Sequence, residues 1–252
     1  MSAFADVDHF VRSANRVARM QDLASLLTDV VAALGFDYVA LMHHVTAPER
    51  SRWAVHVVDY PEEWRVQIRT HRYLADDPVL TACQRTAAAF RWSDLPGLFS
   101  LSSRQKQILE HAAACGLGDG FTVPVNVPGE FLGSCSFGLR PGRDVAPDAL
   151  PAAQYVGCFA FEAARRLQAA EQFSLPEQLP PARPLSQRQY DCVVLVAQGK
   201  SDWDIAQMLG IATDTVHQHI EAAKRRYGVA SRTQLVVRAL FDSQIAFADV
   251  IR

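Results

Sequence analysis

The first 35 residues follow a helical period. Phe10, Val11, Ala14 and Val17, then Leu23, Leu26, Leu27, Val30, Val31 and Leu34, recur at the spacing that lines one helix face. The period then changes. DYVALMHHV, WAVHVVD, FTVPV and FLGSCSFGL are rich in valine and aromatics, residues that pack well on a pleated surface, and suit antiparallel strands. Helical patterns return around 64–70, 78–86, 104–115 and 148–167. The order of helix, two strands, helices, strands and helix predicts an α+β fold, an α/β/α sandwich around an antiparallel sheet. No Rossmann or phosphate-loop signature interrupts it.

Four prolines fall between Leu175 and Leu185, in a stretch with little apolar period. Proline lacks a backbone donor and disfavours helix in the residue before it. The reading is a linker over 171–183, between a domain of residues 1–170 and one of 184–252.

The second domain can be parsed from its helix caps. Ser186 and Gln189 have capping-box spacing, Tyr190, Val193, Val194 and Ala197 follow, and Gly199 stops the helix. Ser201 and Asp204 open a second helix that Gly210 closes. Thr213 caps a third, ended by Gly228, and Ser231 with Gln234 opens a fourth. The third helix sorts cleanly by face. Val216, Ile220 and Ala223 point inward, while Asp214, His217, Gln218, Glu221, Lys224 and Arg225 point outward. In a helix-turn-helix such a helix enters the major groove. There His217, Gln218 and Glu221 suit base edges, and Lys224, Arg225 and Arg226 suit phosphates. A solvated amphipathic face explains the same pattern. Charge does not decide between them, because residues 184–252 hold 8 Lys+Arg against 7 Asp+Glu.

Composition narrows the class. Hydrophobic residues at 49%, charged residues at 21% and a net charge of −2 fit an ordinary globular protein, so any basic surface must be local. The five cysteines are scattered, with no C-x-x-C pair, which argues for reduced thiols and against a zinc site. The N-terminus has acids and a histidine where a signal peptide needs a basic patch, and no apolar run approaches ~18 residues. The expectation is a cytoplasmic protein with no membrane contact, metal or cofactor.

Two resemblances sharpen this. LSQRQ, AQGKSDWDIAQMLGI and TDTVHQHIEAAKRRYGVASR together resemble the LuxR-type helix-turn-helix. Gln189 and Val193 depart from that family's glutamate and leucine; the first keeps the capping-box bond and the second an apolar contact. The resemblance implies a homodimer on palindromic double-stranded DNA. It also implies contacts from Lys200, Thr213, Thr215, His217, Gln218, Glu221, Lys224 and Arg225.

DYPEEW, DDPVLTAC, FRWSDL, GLGDGFTVPV and GEFLGSCSF resemble the ligand domain of acyl-homoserine-lactone receptors. Carried over by position, Tyr60 and Ser136 bind the acyl carbonyl and Asp77 accepts the amide N–H. Trp64 donates to the lactone carbonyl, Trp92 packs on the lactone, and Val79, Ile68 and Met42 complete the site. Such a ligand is uncharged and needs few polar contacts in an apolar pocket. Each tryptophan alone reads first as core, and Asp77 before Pro78 as a turn or helix cap; the agreement of five residues in order at family spacing is what favours the binding reading. Ile68 stands where the family usually has an aromatic, and Met42 where some relatives have a smaller residue. These two departures suggest a short, branched or aryl acyl group.

The expected function is therefore a ligand-responsive quorum-sensing transcription regulator rather than an enzyme. A second reading keeps the architecture and replaces the lactone with another small signal. A third, a hydrolase using Ser136 or Cys83 with a histidine, lacks a G-x-S-x-G elbow. It would need a Ser/His or Cys/His pair within hydrogen-bond reach.

Overall fold

The helical period at the N-terminus resolves into two helices, α1 (Ala3–Ala14) and α2 (Met20–Ala33). They lead into β1 (Tyr38–His43), β2 (His56–Asp59), α3 (Glu62–His71), α4 (Pro78–Cys83), β3 (Phe90–Arg91) and α5 (Leu95–Leu98). After these come α6 (Ser103–Ala114), β4 (Gly120–Val125), β5 (Gly133–Gly138) and α7 (Ala149–Gln172). The computed structural model describes residues 3–45, 54–127, 130–172 and 184–251. Trp53 and Gly129 of the quoted segments lie outside them, as does 173–183 of the expected linker. Helix α7 itself runs to Gln172, past the expected domain end at 170.

The strands form an antiparallel sheet in the order β2-β1-β5-β4-β3. Alternation along each strand gives the sheet two different faces. Val39, Leu41, Phe121, Val123, Cys135 and Phe137 face a layer of α1, α2 and α7, and all are buried in one apolar cluster. That cluster is the core of the domain. Each fully buried side chain of this size contributes about 1.5–3 kcal/mol. Gly157 lets α7 lie close on the sheet, since a Cβ there would sit 3.1 Å from atoms of both Cys135 and Val123. The opposite face carries Ala40, Met42, Thr122, Ser134 and Ser136. Over it lies a second apolar cluster drawn from α3, α4, α6 and the segment around Trp92. This is the α/β/α sandwich, with small and polar residues on one side of its sheet.

The C-terminal unit contains α8 (Gln187–Ala197), α9 (Asp202–Leu209), α10 (Thr213–Tyr227), α11 (Arg232–Phe241) and a short α12 (Phe247–Val250). Capping boxes at Ser186/Gln189, Ser201/Asp204 and Ser231/Gln234 are all formed. Gly210 and Gly228 close their helices in the left-handed conformation, at φ +64° and +63°. Thr213 corrects one expectation. The N-cap of α10 is Ala212, without a side-chain bond, and Thr213 is the first helical residue. Helix α12 was not foreseen. Its four residues are too few to show a period. Val216, Ile220 and Ala223 are buried with Ile205, Cys192 and Leu235 in the core of this unit.

Candidate functional site

Between the polar face of the sheet and its second helical layer lies a cavity of about 50 Å³. Tyr60, Trp64, Ile68, Asp77, Val79, Trp92, Ser136 and Met42 all line it. Helix α3 supplies Trp64 and Ile68, one turn apart on one face. Arg72 then takes the left-handed conformation at φ +53° and ends the helix. The turn lays Tyr73 against Trp64, with ring centroids 5.6 Å apart and stacked. The Tyr73 hydroxyl is anchored 2.6 Å from His111 Nδ1. The tryptophan is therefore a core residue and a cavity wall together.

Asp77 likewise has two roles. It is the N-cap of α4, and its Oδ1 accepts from the N–H groups of Val79 at 2.7 Å and Leu80 at 3.3 Å. Both bonds fall on one oxygen, which leaves Oδ2 for the cavity. Burial pushes its pKa up to about 6, against the lowering effect of those two N–H groups. Burial also raises the Tyr60 phenol well above its ordinary range, with the nearby Asp77 charge adding and the Ser136 hydroxyl opposing.

Trp92 donates its indole N–H to Thr122 Oγ1 at 2.8 Å, and Thr122 Oγ1 lies 2.8 Å from Ser136 Oγ. This relay runs across the sheet, because Thr122 and Ser136 are register partners on β4 and β5. Gly120 makes room for it. A Cβ there would stand 2.6 Å from the Trp92 ring and 2.7 Å from the Phe137 carbonyl oxygen.

The outward face of α10 carries exposed Thr213, His217, Gln218 and Arg225, with Thr215, Glu221 and Lys224 half-buried. Lys224 Nζ is 2.7 Å from Glu221 Oε1, and Arg226 donates to the Pro184 carbonyl. Of the three cations expected to suit phosphates, these two are thus held by partners within the unit. Lys200 is exposed, and its carbonyl accepts from Arg232 Nη2 at 3.0 Å. Asp202 pairs with Arg232 and lies 3.5 Å from His217 Nδ1, tying the start of α9 to α10 and α11.

Residues 19–164 match the model of the autoinducer binding domain, and 183–239 that of the bacterial regulatory proteins of the luxR family. The chain belongs to the LuxR family of autoinducer-binding regulators. Among curated relatives, the HTH-type transcriptional regulator y4qH of Sinorhizobium fredii is 30% identical, over 73% of this chain and 55% of that protein. The transcriptional activator protein BjaR1 of Bradyrhizobium diazoefficiens is 23% identical over 92% of both chains. Among solved structures, Escherichia coli SdiA has a TM-score of 0.60 at 22% identity, covering 96% of this chain and 99% of that one, and so shares the fold.

The family is one of transcriptional regulators, not enzymes, and the chemistry of this chain agrees. One Ser/His pair does lie within reach: His44 Nε2 is 2.9 Å from Ser134 Oγ. Burial pushes the His44 pKa down to about 4, which makes it a poor base. Among the described residues its Nδ1 is buried with no partner, and none of them supplies the third group that orients a catalytic histidine. No helix among the described residues is long and apolar enough to cross a membrane.

Further wall residues went unread in the sequence, among them Ala40, Leu80, Ile108, Ala112, Leu117 and Ser134. Ala40 and Ser134 had a signal, since each stands two residues from a named site residue on the same strand face. Ile108 and Ala112 lie one turn apart on α6, a spacing that marks a buried face without saying what it borders.

Proposed function

We propose that this LuxR-family regulator binds an N-acyl-homoserine lactone in the cavity of residues 1–170. Residues 171–183 link that domain to 184–252, which as a homodimer in the cytoplasm reads a palindromic DNA element. One observation supports the ligand above others. Tyr60, Trp64, Asp77, Trp92 and Ser136, from four stretches of chain, converge on a mostly apolar cavity with a single carboxylate among the described residues. An uncharged amide-lactone matches that balance: the amide N–H to Asp77 Oδ2, the acyl carbonyl to Tyr60 and Ser136, the lactone carbonyl to the Trp64 indole. Trp92, its N–H committed to Thr122, offers its ring face to the lactone. Binding to the folded state alone stabilises the domain by linkage. On α10, His217, Gln218 and Glu221 serve as base readers and Arg225, Thr213 and Thr215 meet the backbone, as does Lys200 before α9, with Lys224 exchanging Glu221 for phosphate.

Mass spectrometry of the small molecule released from protein purified from its native host tests this reading. An N-acyl-homoserine lactone is expected; a reproducible ligand of another class would overturn the ligand assignment.

A further inference from the structure

The cavity has a second polar end. Ser134 lines it on the same face of β5 as Ser136 and pairs in register with Met42, as Ser136 pairs with Ala40. Two residues of strand place these hydroxyls roughly 7 Å apart. Ser134 is buried, 2.9 Å from His44 Nε2, and also hydrogen-bonds the Cys83 thiol. A serine hydroxyl has one hydrogen and two lone pairs, so the bond to His44 leaves two of these three positions open in either tautomer. If the imidazole donates, the serine hydrogen is spare; if it accepts, the serine lone pairs are. A thiol is weak in both roles and satisfies neither well. A ligand hydroxyl both donates and accepts, and so fits both cases. A keto oxygen fits only the first.

We infer that Ser134, held by His44, is a specificity-determining residue that recognises a hydroxyl on the far part of the acyl group. The inference rests on the lactone reading, in which the acyl carbonyl sits at Tyr60 and Ser136 and the tail crosses Ala40 toward Met42. It adds a ligand class: acyl-homoserine lactones with an oxygenated tail rather than a plain hydrocarbon one.

The test is calorimetric titration of the full chain with hexanoyl-homoserine lactone and with its counterpart bearing a terminal hydroxyl. Wild type is expected to bind the hydroxylated ligand ~3- to 10-fold more tightly, the worth of one hydrogen bond. In Ser134→Ala the ratio falls to one or below. Ser134→Cys, which nearly keeps the volume and weakens the hydrogen bond, replaces that variant if it does not fold. Equal affinities in wild type, or a preference that survives both substitutions, overturns the inference alone. Binding of neither ligand overturns the lactone reading and this one together.

Discussion

Trp92 and Thr122 are joined by a 2.8 Å hydrogen bond from indole to hydroxyl, and the same hydroxyl touches Ser136. A buried donor that loses its acceptor costs the desolvation of that group. Thr122→Val keeps the shape and strands the Trp92 N–H, so it should destabilise the first domain by about 1–3 kcal/mol. In a Trp92→Phe background, where no donor remains, the same substitution should cost less. Denaturant unfolding of the four proteins in this cycle checks it; equal costs in both backgrounds would show that the bond carries no stability.

Gly120 guards that relay. Its Cβ would meet both a movable ring and an immovable carbonyl oxygen. Gly120→Ala should therefore displace Trp92, lower ligand affinity and cost about 1–3 kcal/mol through overpacking. Titration and thermal unfolding of this variant should move together.

Asp77 gives a pH dependence with a definite sign. Its folded pKa is raised to about 6, above the ordinary value near 3.9 for an unfolded aspartate. The stabilising contribution of its protonation is thus fully present below pH ~4 and lost as pH rises through ~6. Asp77→Asn caps the helix without a charge. In the absence of ligand it should be more stable than wild type at pH 7, by up to about 3 kcal/mol, and should converge on wild type near pH 4. Unfolding curves across that range measure the difference. A gap that widens on acidification would contradict the assignment.

The Glu221–Lys224 pair predicts an asymmetry in DNA binding. In the proposed complex Lys224 has already left Glu221 for a phosphate, so Glu221→Ala should broaden base preference and keep the wild-type salt slope, whereas Lys224→Ala should lower that slope by about one counterion. Lys224→Ala leaves an unpaired carboxylate facing DNA and should weaken binding to all sequences. Fluorescence anisotropy over a salt series separates the two; identical salt slopes would place the pair away from the phosphates.

The sandwich was legible because its helices bury one face each, while its strands divide two kinds of buried face, a division that Val39/Leu41 against Ala40/Met42 write into a single strand. The capping boxes were legible for a similar reason: Ser186 with Gln189 and Ser231 with Gln234 are contacts three residues apart. What a single strand or helix cannot state is which layer covers it. GSCSFG shows alternation, but only the packing of α3, α4 and α6 makes Ser134 a cavity wall, and only that of α7 makes Cys135 a core residue. Thr213 misled because the hydroxyl nearest the start of α10 is not its cap. The Glu221–Lys224 pair was written in plain i, i+3 spacing. The hold of Arg226 on Pro184 was not, since it spans 42 residues.

The most direct test of the account is a titration of the full chain with an N-acyl-homoserine lactone and with the same molecule after ring opening. Ring opening destroys the ring on which Trp92 is proposed to pack and turns the ester carbonyl proposed for Trp64 into part of an acid group. It also brings a carboxylate into an apolar cavity that already contains Asp77, where a second buried charge is strongly disfavoured. Saturable binding and a raised Tm are expected for the closed lactone alone. An equal response to both forms would contradict the assignment.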